Sequence, residues 1–303
     1  MPTHATAVDL RRSDPEIVPL ETIVRLEEDR LRISIAEIAD HAEPWAGGIL
    51  AAGPAGTWLN AAIGAGVDPV PVGAASDHDE VDRLIALSER RGVEPRVEVA
   101  PQARASLLDA VAARGFVLRR FLHLFARDLM ERPLGPPRPE SDGISIAPIS
   151  PEDEETTRAW ATLSARNFAP ARAPGEADIE IGRRIVRHPR CIALGAWAEG
   201  ELVGGAAFEI GPGPDESDLA ARHGRIAALF GAAVEPEFRR RGIQKSLIEH
   251  RLRLAAERGI RFATVSSHPD IATERTARRC GFELVCTKAV LVRPGPGLAP
   301  VAE

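Results

Sequence analysis

The segment AAVEPEFRRRGIQKSL, residues 232–247, joins an apolar stretch to a helical pattern through three arginines and a glycine. The apolar residues IAALFGAAV are typical of a buried strand, which we predict over 225–234. Beyond the glycine, apolar side chains recur at the spacing of one helix face, at Ile243, Leu247, Ile248, Leu252 and Ala255. We predict a helix over 243–258, so Gly242 lies where a strand passes directly into a helix.

A turn of this kind has the properties of an anion site. The first N–H groups of a helix have no partner within the helix, and the helix dipole adds positive potential there. Gly242 lets the backbone approach a ligand because it has no Cβ. Arg239, Arg240, Arg241 and Lys245 add positive charge, and the guanidinium group suits phosphate geometry. We interpret the turn as a cradle for a pyrophosphate; the alternative is a solvated basic loop.

The turn and its surroundings resemble the GNAT superfamily of acyl-CoA-dependent N-acetyltransferases. The pyrophosphate motif of that family is Arg/Gln-x-x-Gly-x-Gly/Ala, and here it reads RRRGIQ, with Gln244 in the last position. Val234-Glu235-Pro236 resembles the Val-x-Pro segment that precedes the motif, and residues 274–292, ERTARRCGFELVCTKAVLV, resemble the helix and strand that close the domain. The resemblance extends over residues 145–293.

The resemblance implies an acetyl-CoA site built by the turn and by the strand before it. In the family, backbone near the end of the fourth strand receives the thioester, and residue 276, a threonine here, stands where many relatives have an asparagine. No metal is expected. The residues implied as acetyl-CoA contacts are Ala232, Ala233, Val234, Arg239, Arg240, Arg241, Gly242, Ile243, Gln244, Lys245, Ser246 and Thr276.

Residues 130–143, MERPLGPPRPESDG, contain four prolines and are interpreted as a semi-rigid linker. We therefore predict domains over 1–130 and 144–303, with the linker over 131–143. The two parts are weakly similar in sequence. Two pairs of markers lie 167 and 166 residues apart, namely Arg91-Gly92 with Arg258-Gly259 and Gly115-Phe116 with Gly281-Phe282.

Self-similarity at nearly one offset indicates a duplicated domain. The predicted fold class is α/β (α+β): two tandem GNAT-like domains, each with a mixed, mostly antiparallel central sheet flanked by helices. The N-terminal copy is expected to be degenerate. Its counterpart of the arginine turn, GAASDHDEVDRL at residues 73–84, carries carboxylates that suit a helix start and would repel a pyrophosphate. We predict that this copy does not bind CoA.

The general base for the transfer is not evident from the sequence. Many relatives have a glutamate early in the fourth strand, but residues 225–234 contain no carboxylate. A base near the thioester would take a proton from the attacking ammonium. For each candidate, a solvated surface residue is the commoner role. The candidates are Glu209 and Glu235, which flank this strand, and His223 and His268 in the nearby loops.

The acid that would protonate the departing thiolate is also open. Many relatives use a tyrosine in the last helix, but this chain contains no tyrosine and has Ala277 at about that position. Ser267 is the candidate we retain, with Ser266, Thr276 or a water as substitutes. Three aromatic side chains could line an acceptor pocket, although core packing is the commoner role: Trp160, Trp197 and Phe168.

Composition narrows the class of protein. A net charge of −6 over 303 residues argues against a general nucleic-acid binder. The cysteines number three and lack metal-ligand spacing, so neither a zinc site nor a disulfide framework is expected. The uncharged run over residues 44–67 contains six glycines and two prolines, which favours strands and turns over a membrane helix. We expect a cytoplasmic protein with no membrane partner.

These observations predict an N-acetyltransferase that moves an acetyl group from acetyl-CoA to a primary amine, as a monomer or homodimer. The N-terminal copy would then be a structural or acceptor-site partner. A non-catalytic acyl-CoA-binding sensor or scaffold is the alternative. A P-loop nucleotide binder is disfavoured, because Lys245-Ser246 lacks the glycine spacing of that motif.

Overall fold

The computed structural model describes residues 18–70, 72–136, 143–168 and 173–300. Part of the predicted linker, residues 137–142, therefore lies outside the described residues. The helices are Leu20–Ile38 (α1), Asp77–Arg90 (α2), Ala105–Ala113 (α3), Glu154–Phe168 (α4), Glu176–Arg187 (α5), Asp218–His223 (α6), Ile243–Glu257 (α7) and Ala272–Arg279 (α8). The strands are His41–Trp45 (β1), Gly48–Ala52 (β2), Ala61–Ala65 (β3), Arg96–Val99 (β4), Val117–Asp128 (β5), Ile144–Pro148 (β6), Cys191–Ala198 (β7), Glu201–Ile210 (β8), Ile226–Val234 (β9), Phe262–Ser267 (β10) and Glu283–Val292 (β11).

All eleven strands form one sheet, in the order β1-β2-β3-β4-β11-β5-β10-β9-β8-β7-β6. The strands pair antiparallel except for β3 with β4 and β9 with β10, which are parallel. The sheet is thus mixed and mostly antiparallel, as predicted. Each half contributes one parallel pair, and in each half a helix connects the two strands of that pair.

The two halves exchange their last strands. β5 belongs to the N-terminal half but lies between β10 and β11, and β11 belongs to the C-terminal half but lies between β4 and β5. Residues 123–126 of β5 are therefore paired on both edges, with β10 and with β11. A strand paired on both edges has no free ladder groups, so the exchange closes both halves into one sheet.

The apolar cores follow the same exchange. The cluster under α7 and α8 includes Phe125 and Leu129, which lie on or just after β5. The cluster under α2 and α3 has Ala289 and Leu291 of β11 packed against it. Each half therefore buries apolar surface of the other half, and burial of this kind is the main driving force for folding.

The helices cover the sheet from two sides. One side carries α2 and α3 over the N-terminal strands and α7 and α8 over the C-terminal strands. The other side carries α1, α4 and α5, and α1 packs against strands of both halves. Alternation of side chains along a strand separates the two layers.

Local predictions from the sequence are largely confirmed. The helix predicted after the arginine turn is present. The turn residues Glu199-Gly200 also predict a hairpin, which is β7–β8, and the paired Arg-Gly and Gly-Phe markers predict a helix–strand–helix–strand series in each half, which is also present. The Gly- and Pro-containing sequence of residues 211–224 predicts a flexible stretch, but it contains α6, whose first turn is capped by the Ser217 hydroxyl. No helix among the described residues has the length and apolar character needed to cross a membrane.

The strand exchange makes a prediction about fragments. Residues 144–303 expressed alone lack β5, and residues 1–130 alone lack β11, so we expect neither to unfold cooperatively in urea. The two fragments mixed together should unfold in urea in one cooperative transition. The full chain cleaved between residues 136 and 143 should do the same. A 144–303 fragment that unfolds at the midpoint of the full chain would contradict this expectation.

Candidate active site

The arginine turn has the geometry of an anion cradle. Gly242 adopts φ +83°, in the left-handed region, and no side chain caps the helix α7 that follows. The first hydrogen bond inside this helix is from the Ser246 N–H to the Gly242 carbonyl, at 3.0 Å. The N–H groups of residues 243–245 precede that bond and therefore have no acceptor within the helix. Arg240 and Arg241 are exposed beside them.

Arg239 stabilises the turn through two hydrogen bonds. Its Nε donates to the Val234 carbonyl at 3.0 Å, and its Nη2 donates to Asn167 Oδ1 at 2.9 Å. These bonds tie the turn to the end of β9 and to α4. Arg239 therefore holds the shape of the turn, whereas the backbone and the next two arginines provide donors and positive charge.

Gln244, which stands where the motif has Gly or Ala, lies between two helices. Gln244 Nε2 donates to Thr273 Oγ1 at 3.3 Å, and Gln244 Oε1 lies 3.5 Å from Thr276 Oγ1. The Thr276 hydroxyl also donates to the Ala272 carbonyl at 2.9 Å, and the residue is buried. Gln244 thus links α7 to α8.

The parallel strands β9 and β10 separate beside this turn. Their register runs from Ile226 opposite Phe262 to Leu229 opposite Val265 and then ends. β9 continues beside β8 to Val234, and β10 continues beside β5 to Ser267. The divergence opens a fork between the strands, and the backbone of residues 230–234 borders that fork.

A β-bulge shapes the β9 side of the fork. Gly205 pairs with Ala233 and Ala207 pairs with Phe230, so Gly231 and Ala232 together face one residue of β8. Gly231 adopts φ +65°, a conformation that favours glycine. The bulge re-aims the backbone at this position, as bulges near active sites commonly do.

A buried arginine holds the bulge. The Nη1 of Arg251, on α7, donates to the carbonyls of Ala207 and Phe230 at 2.9 and 3.1 Å, and its Nε donates to Leu247 at 3.0 Å. Arg251 is 2% exposed, and burial lowers its pKa to about 9. The guanidinium is still charged at neutral pH, and it donates to one carbonyl on each of the two strands beside the bulge.

A cavity of about 390 Å³ opens on the opposite side of the fork. Its walls come from both halves: α1 and the residues before β3 from one, and α4, α5 and β8–β10 from the other. Phe230, Gly231, Thr264 and Ser266 form the wall at the fork. An acceptor in this cavity would therefore meet a ligand that enters the fork from the side of α7.

A buried ion cluster lies on the cavity wall beneath α1. Arg30 Nη2 donates to Glu27 Oε1 at 2.6 Å, and its Nη1 donates to Glu209 Oε2 at 2.7 Å. The Ser34 hydroxyl donates to Glu209 Oε1, and the Thr264 hydroxyl donates to Glu27 Oε2 at 3.0 Å. Burial alone would lower the pKa of Arg30, but the two carboxylates outweigh burial and raise it.

A second buried ion cluster lines the inner end of the cavity. Lys288 Nζ, on the exchanged strand β11, lies 2.8 Å from Glu28 Oε1 and 3.5 Å from Glu98 Oε2. Cys191 also lines the cavity, and burial raises the pKa of its thiol to about 12. A thiol with that pKa stays protonated at neutral pH and is a poor nucleophile.

Of the three catalytic candidates from the sequence, Glu209 is on the cavity wall. Glu235 accepts a hydrogen bond from Arg166 next to the arginine turn. The Ser267 hydroxyl donates to the His268 carbonyl at 3.1 Å, and its neighbour Ser266 is the residue of this pair that lines the cavity. The candidates thus lie at three separate positions around the fork.

The aromatic candidates divide between core and cavity. The Trp160 indole donates to the Leu194 carbonyl at 3.1 Å and packs against Gly205, so it is a core residue. Trp197 packs against Gly195 and belongs to the same cluster. Phe168 lines the cavity and is 54% exposed.

Sequence reasoning did not identify the contribution of α1. Glu27, Arg30 and Ser34 all lie on its buried face and line the cavity. Their spacing keeps them in phase with the apolar residues Ile23 and Leu26, as expected for one helix face. Polar side chains on an otherwise apolar helix face were the signal, because burial of such groups requires partners.

Residues 155–282 match the model of the acetyltransferase (GNAT) family. This match lies within the C-terminal half of the chain. No protein with a curated functional description matches the chain significantly. The match to the GNAT model supports acyl transfer as the general reaction class.

Two solved GNAT structures cover nearly the whole chain. A GCN5-related N-acetyltransferase from Kribbella flavida is 16% identical, with a TM-score of 0.64, over 93% of this chain and 99% of that chain. A tandem GNAT protein from the clavulanic acid biosynthesis pathway is 14% identical, with a TM-score of 0.58, over 92% and 98%. At such identities the likeness concerns the fold, which is two tandem GNAT-like units.

In the N-terminal GNAT-like unit, side chains of the protein occupy the helix start that corresponds to the arginine turn. Ser76 and Asp79 form a capping box on α2. Asp77 accepts from Arg104 Nε at 2.9 Å and from the Ser106 hydroxyl at 2.6 Å. Burial alone would raise the pKa of Asp77, but these hydrogen bonds outweigh burial and hold the pKa of Asp77 below its usual value. The helix start is thus occupied by side chains of the protein; that this unit does not bind CoA stays a prediction.

The role of Arg251 gives a testable prediction. Arg251→Met removes the donors of two buried carbonyls, so we expect a loss of about 1–3 kcal/mol in the free energy of unfolding, measured in urea. Arg253→Met is the matched control, because Arg253 lies on the same helix and donates to the Gly135 carbonyl from an exposed position. The control should change stability by about 0.5 kcal/mol or less. Equal effects of the two variants would refute the assignment.

Proposed function

We propose that this protein is an N-acetyltransferase that moves an acetyl group from acetyl-CoA to a primary amine held in the cavity. The observation that carries the proposal is the fork between β9 and β10. It has the arginine turn on the side of α7 and the cavity on the side of α1. A thioester in the fork would lie between an anion cradle and an amine pocket, as acyl transfer requires.

The residues around the turn fit the CoA pyrophosphate. The uncapped N–H groups at the start of α7, the positive φ of Gly242 and the exposed Arg240 and Arg241 form a set of donors for phosphate oxygens. Backbone of residues 232–234 borders the fork where the pantetheine and thioester would lie. Lys245 and Ser246 in the first turn of α7 complete the proposed contacts, whereas Thr276 would act indirectly through Gln244.

We assign the proton route to Glu209 through Ser34. The bound ammonium first gives one proton to Ser34 Oγ as the proton of Ser34 moves to Glu209, with which Ser34 is already hydrogen-bonded. The neutral amine nitrogen then attacks the thioester carbonyl carbon. As the C–S bond breaks, the N–H proton that the nitrogen loses passes to the CoA thiolate, which gives the amide and the CoA thiol. In this proposal the oxyanion is stabilised by backbone N–H groups of the bulge at Gly231.

We further propose that the C-terminal unit, residues 144–303, carries the transfer and that the N-terminal unit, residues 1–130, completes the acceptor site. Arg30 and Ser34 support the second part, because both lie on α1 and bind Glu209. A cytoplasmic location is part of the proposal, since acetyl-CoA is the expected donor. The alternative of a non-catalytic acyl-CoA module keeps support from the carboxylates, because Glu209 and Glu235 are both bound by arginines.

The CoA site is tested by a matched pair of glycine variants. Gly242 and Gly259 lie at the two ends of α7 with φ +83° and +70°, and a Cβ at either would meet open space. Alanine at either position should cost about 1–2 kcal/mol of stability. Only Gly242→Ala should weaken CoA binding, by about tenfold or 1.4 kcal/mol, because it displaces the helix N–H groups.

Isothermal titration with CoA measures this effect and also the stoichiometry, which we expect to be one CoA per chain. Equal CoA affinity of the two variants would place the anion site elsewhere. A stoichiometry of two would contradict the prediction that the N-terminal unit does not bind CoA.

The base is tested by free-thiol release from acetyl-CoA over a panel of amines. Glu209→Gln and Ser34→Ala should each lower kcat by about 10²–10⁴ and leave the KM for acetyl-CoA unchanged. Glu235→Gln is the matched control, because Glu235 pairs with Arg166 outside the cavity. A loss of kcat in Glu235→Gln alone would move the base to that residue. Saturable CoA binding with no thiol release over the panel would favour the non-catalytic module.

A further inference from the structure

The cavity between the two halves combines an apolar wall with a buried acidic end. Most of its wall is apolar and comes from both halves, and the ion cluster of Glu27, Arg30 and Glu209 occupies one region beside the fork. This arrangement is informative about the acceptor, because pocket chemistry selects for complementary ligands. The aliphatic wall is formed by Leu31, Ile35, Ile38, Leu59, Ile181 and Ile185.

The ion cluster carries an excess of negative charge. Glu27 and Glu209 are each 3% exposed, and the single guanidinium of Arg30 bridges them. The next cation is Arg190, whose Nε lies 3.7 Å from Glu209 Oε1. Arg190 is itself shared with Glu37 and Glu216, which are 39% and 47% exposed, and Glu37 also pairs with His188. Lys288, whose pKa Glu27 also helps to raise, pairs with its own two carboxylates, Glu28 and Glu98. Glu27 and Glu209 therefore share the single guanidinium of Arg30 at hydrogen-bond distance, and a bound cation would offset this local imbalance.

Burial strengthens the effect of this imbalance. Charges in a low-dielectric site interact more strongly than in water, and a buried unpaired charge is costly. An ammonium group beside Glu27 and Glu209 would supply the missing positive charge and place its nitrogen near Ser34. An anionic group at the same place would add a third negative charge.

The mouth of the cavity is aromatic. Trp58, from the N-terminal half, is 38% exposed, and Phe168, from the C-terminal half, is 54% exposed; both line the cavity. Large exposed aromatic side chains beside a pocket mark a surface that is completed by a ligand. Aromatic faces also bind cations and alkyl chains.

We propose that the acceptor is a monocationic amine with an apolar body of alkyl or aryl character. This inference rests on the proposed function. The ammonium group lies beside Glu27 and Glu209, the body lies along the aliphatic wall, and its far end reaches Trp58 and Phe168. Asp178, a further carboxylate on the wall, already accepts a hydrogen bond from the Gly175 N–H. Polyamines, aminoglycosides and amino acids are therefore poor acceptors, because each would bring an additional charge into a mostly apolar cavity or place a carboxylate beside Glu27 and Glu209.

Binding in the presence of CoA, which carries no acetyl group, tests the inference separately from catalysis. Isothermal titration of the full chain with butylamine, hexylamine and octylamine should give affinities that rise about fourfold for each added methylene. Hexylamine should bind at least tenfold more tightly than hexan-1-ol, hexanoate or spermidine. Affinity independent of chain length, or equal binding of hexan-1-ol or hexanoate, or tighter binding of spermidine, would overturn the inference.

Variants of the aromatic residues at the mouth of the cavity test the inference without changing a buried charge. Trp58→Ala and Phe168→Ala should each weaken octylamine binding by threefold to tenfold, about 0.6–1.4 kcal/mol. Butylamine binding should change by less than twofold, since the shorter chain does not reach the rim. Phe121→Ala is the control, because Phe121 is similarly exposed, at 47%, but lies on β5 and not among the lining residues. If Phe121→Ala weakened octylamine binding as much as Phe168→Ala, the far end of the ligand would not lie at the mouth of the cavity.

Thiol release with the same probes distinguishes the two proposals. Transfer to alkylamines in the order of their affinities supports both proposals. Preferred transfer to spermidine or to an aminoglycoside would overturn the acceptor class and leave the acetyltransferase function intact. Alkylamines that bind with the expected chain-length dependence but release no thiol would overturn the function and retain the cavity as a site for apolar amines.

Discussion

β5 is hydrogen-bonded on one edge to β10 and on the other edge to β11, and the rest of the molecule depends on this pairing. The strand comes from the first half of the chain but completes the sheet of the second half. In return, β11 completes the sheet of the first half. Because both exchanges occur at the centre of one eleven-stranded sheet, the two halves have a fixed relative position.

The fixed position of the halves creates the cavity. α1 precedes every strand in sequence, yet it packs against strands of both halves. Arg30 and Glu209 are separated by 179 positions in sequence, yet Arg30 Nη1 lies 2.7 Å from Glu209 Oε2. A rigid contact of this kind is needed for a buried ion cluster, because the attraction between charges offsets desolvation only when the geometry is held. The cavity thus belongs to neither half alone.

The two halves illustrate how one supersecondary unit acquires different chemistry. In each half a helix joins two parallel strands, through α2 in one case and α7 in the other. The start of α2 is closed by Ser76, Asp79 and Asp77. The start of α7 has a left-handed Gly242 and no side-chain cap. The difference between a capped and an uncapped helix start decides whether backbone N–H groups are available to an anion.

The sequence by itself determined the arginine turn, the strand and helix around it, the hairpin β7–β8 and the duplication. These features depend on spacing among residues a few positions apart, and the backbone geometry of helices and strands fixes that spacing. The family resemblance followed from the same local features. The turn at Gly242 could be predicted for this reason, because its chemistry is that of adjacent backbone groups.

Only the tertiary structure decided which strands are neighbours, where α1 lies and which charges meet. The exchange of β5 and β11 leaves no trace in the hydrophobic pattern, because a buried strand has the same pattern beside either partner. The three catalytic candidates were indistinguishable in sequence. The fold separated them by placing Glu209 on the cavity wall beside Arg30 and Ser34, Glu235 beside Arg166, and the Ser267 hydroxyl on the His268 carbonyl. Contacts between residues far apart in sequence depend on the packing of the whole chain, which no local pattern encodes.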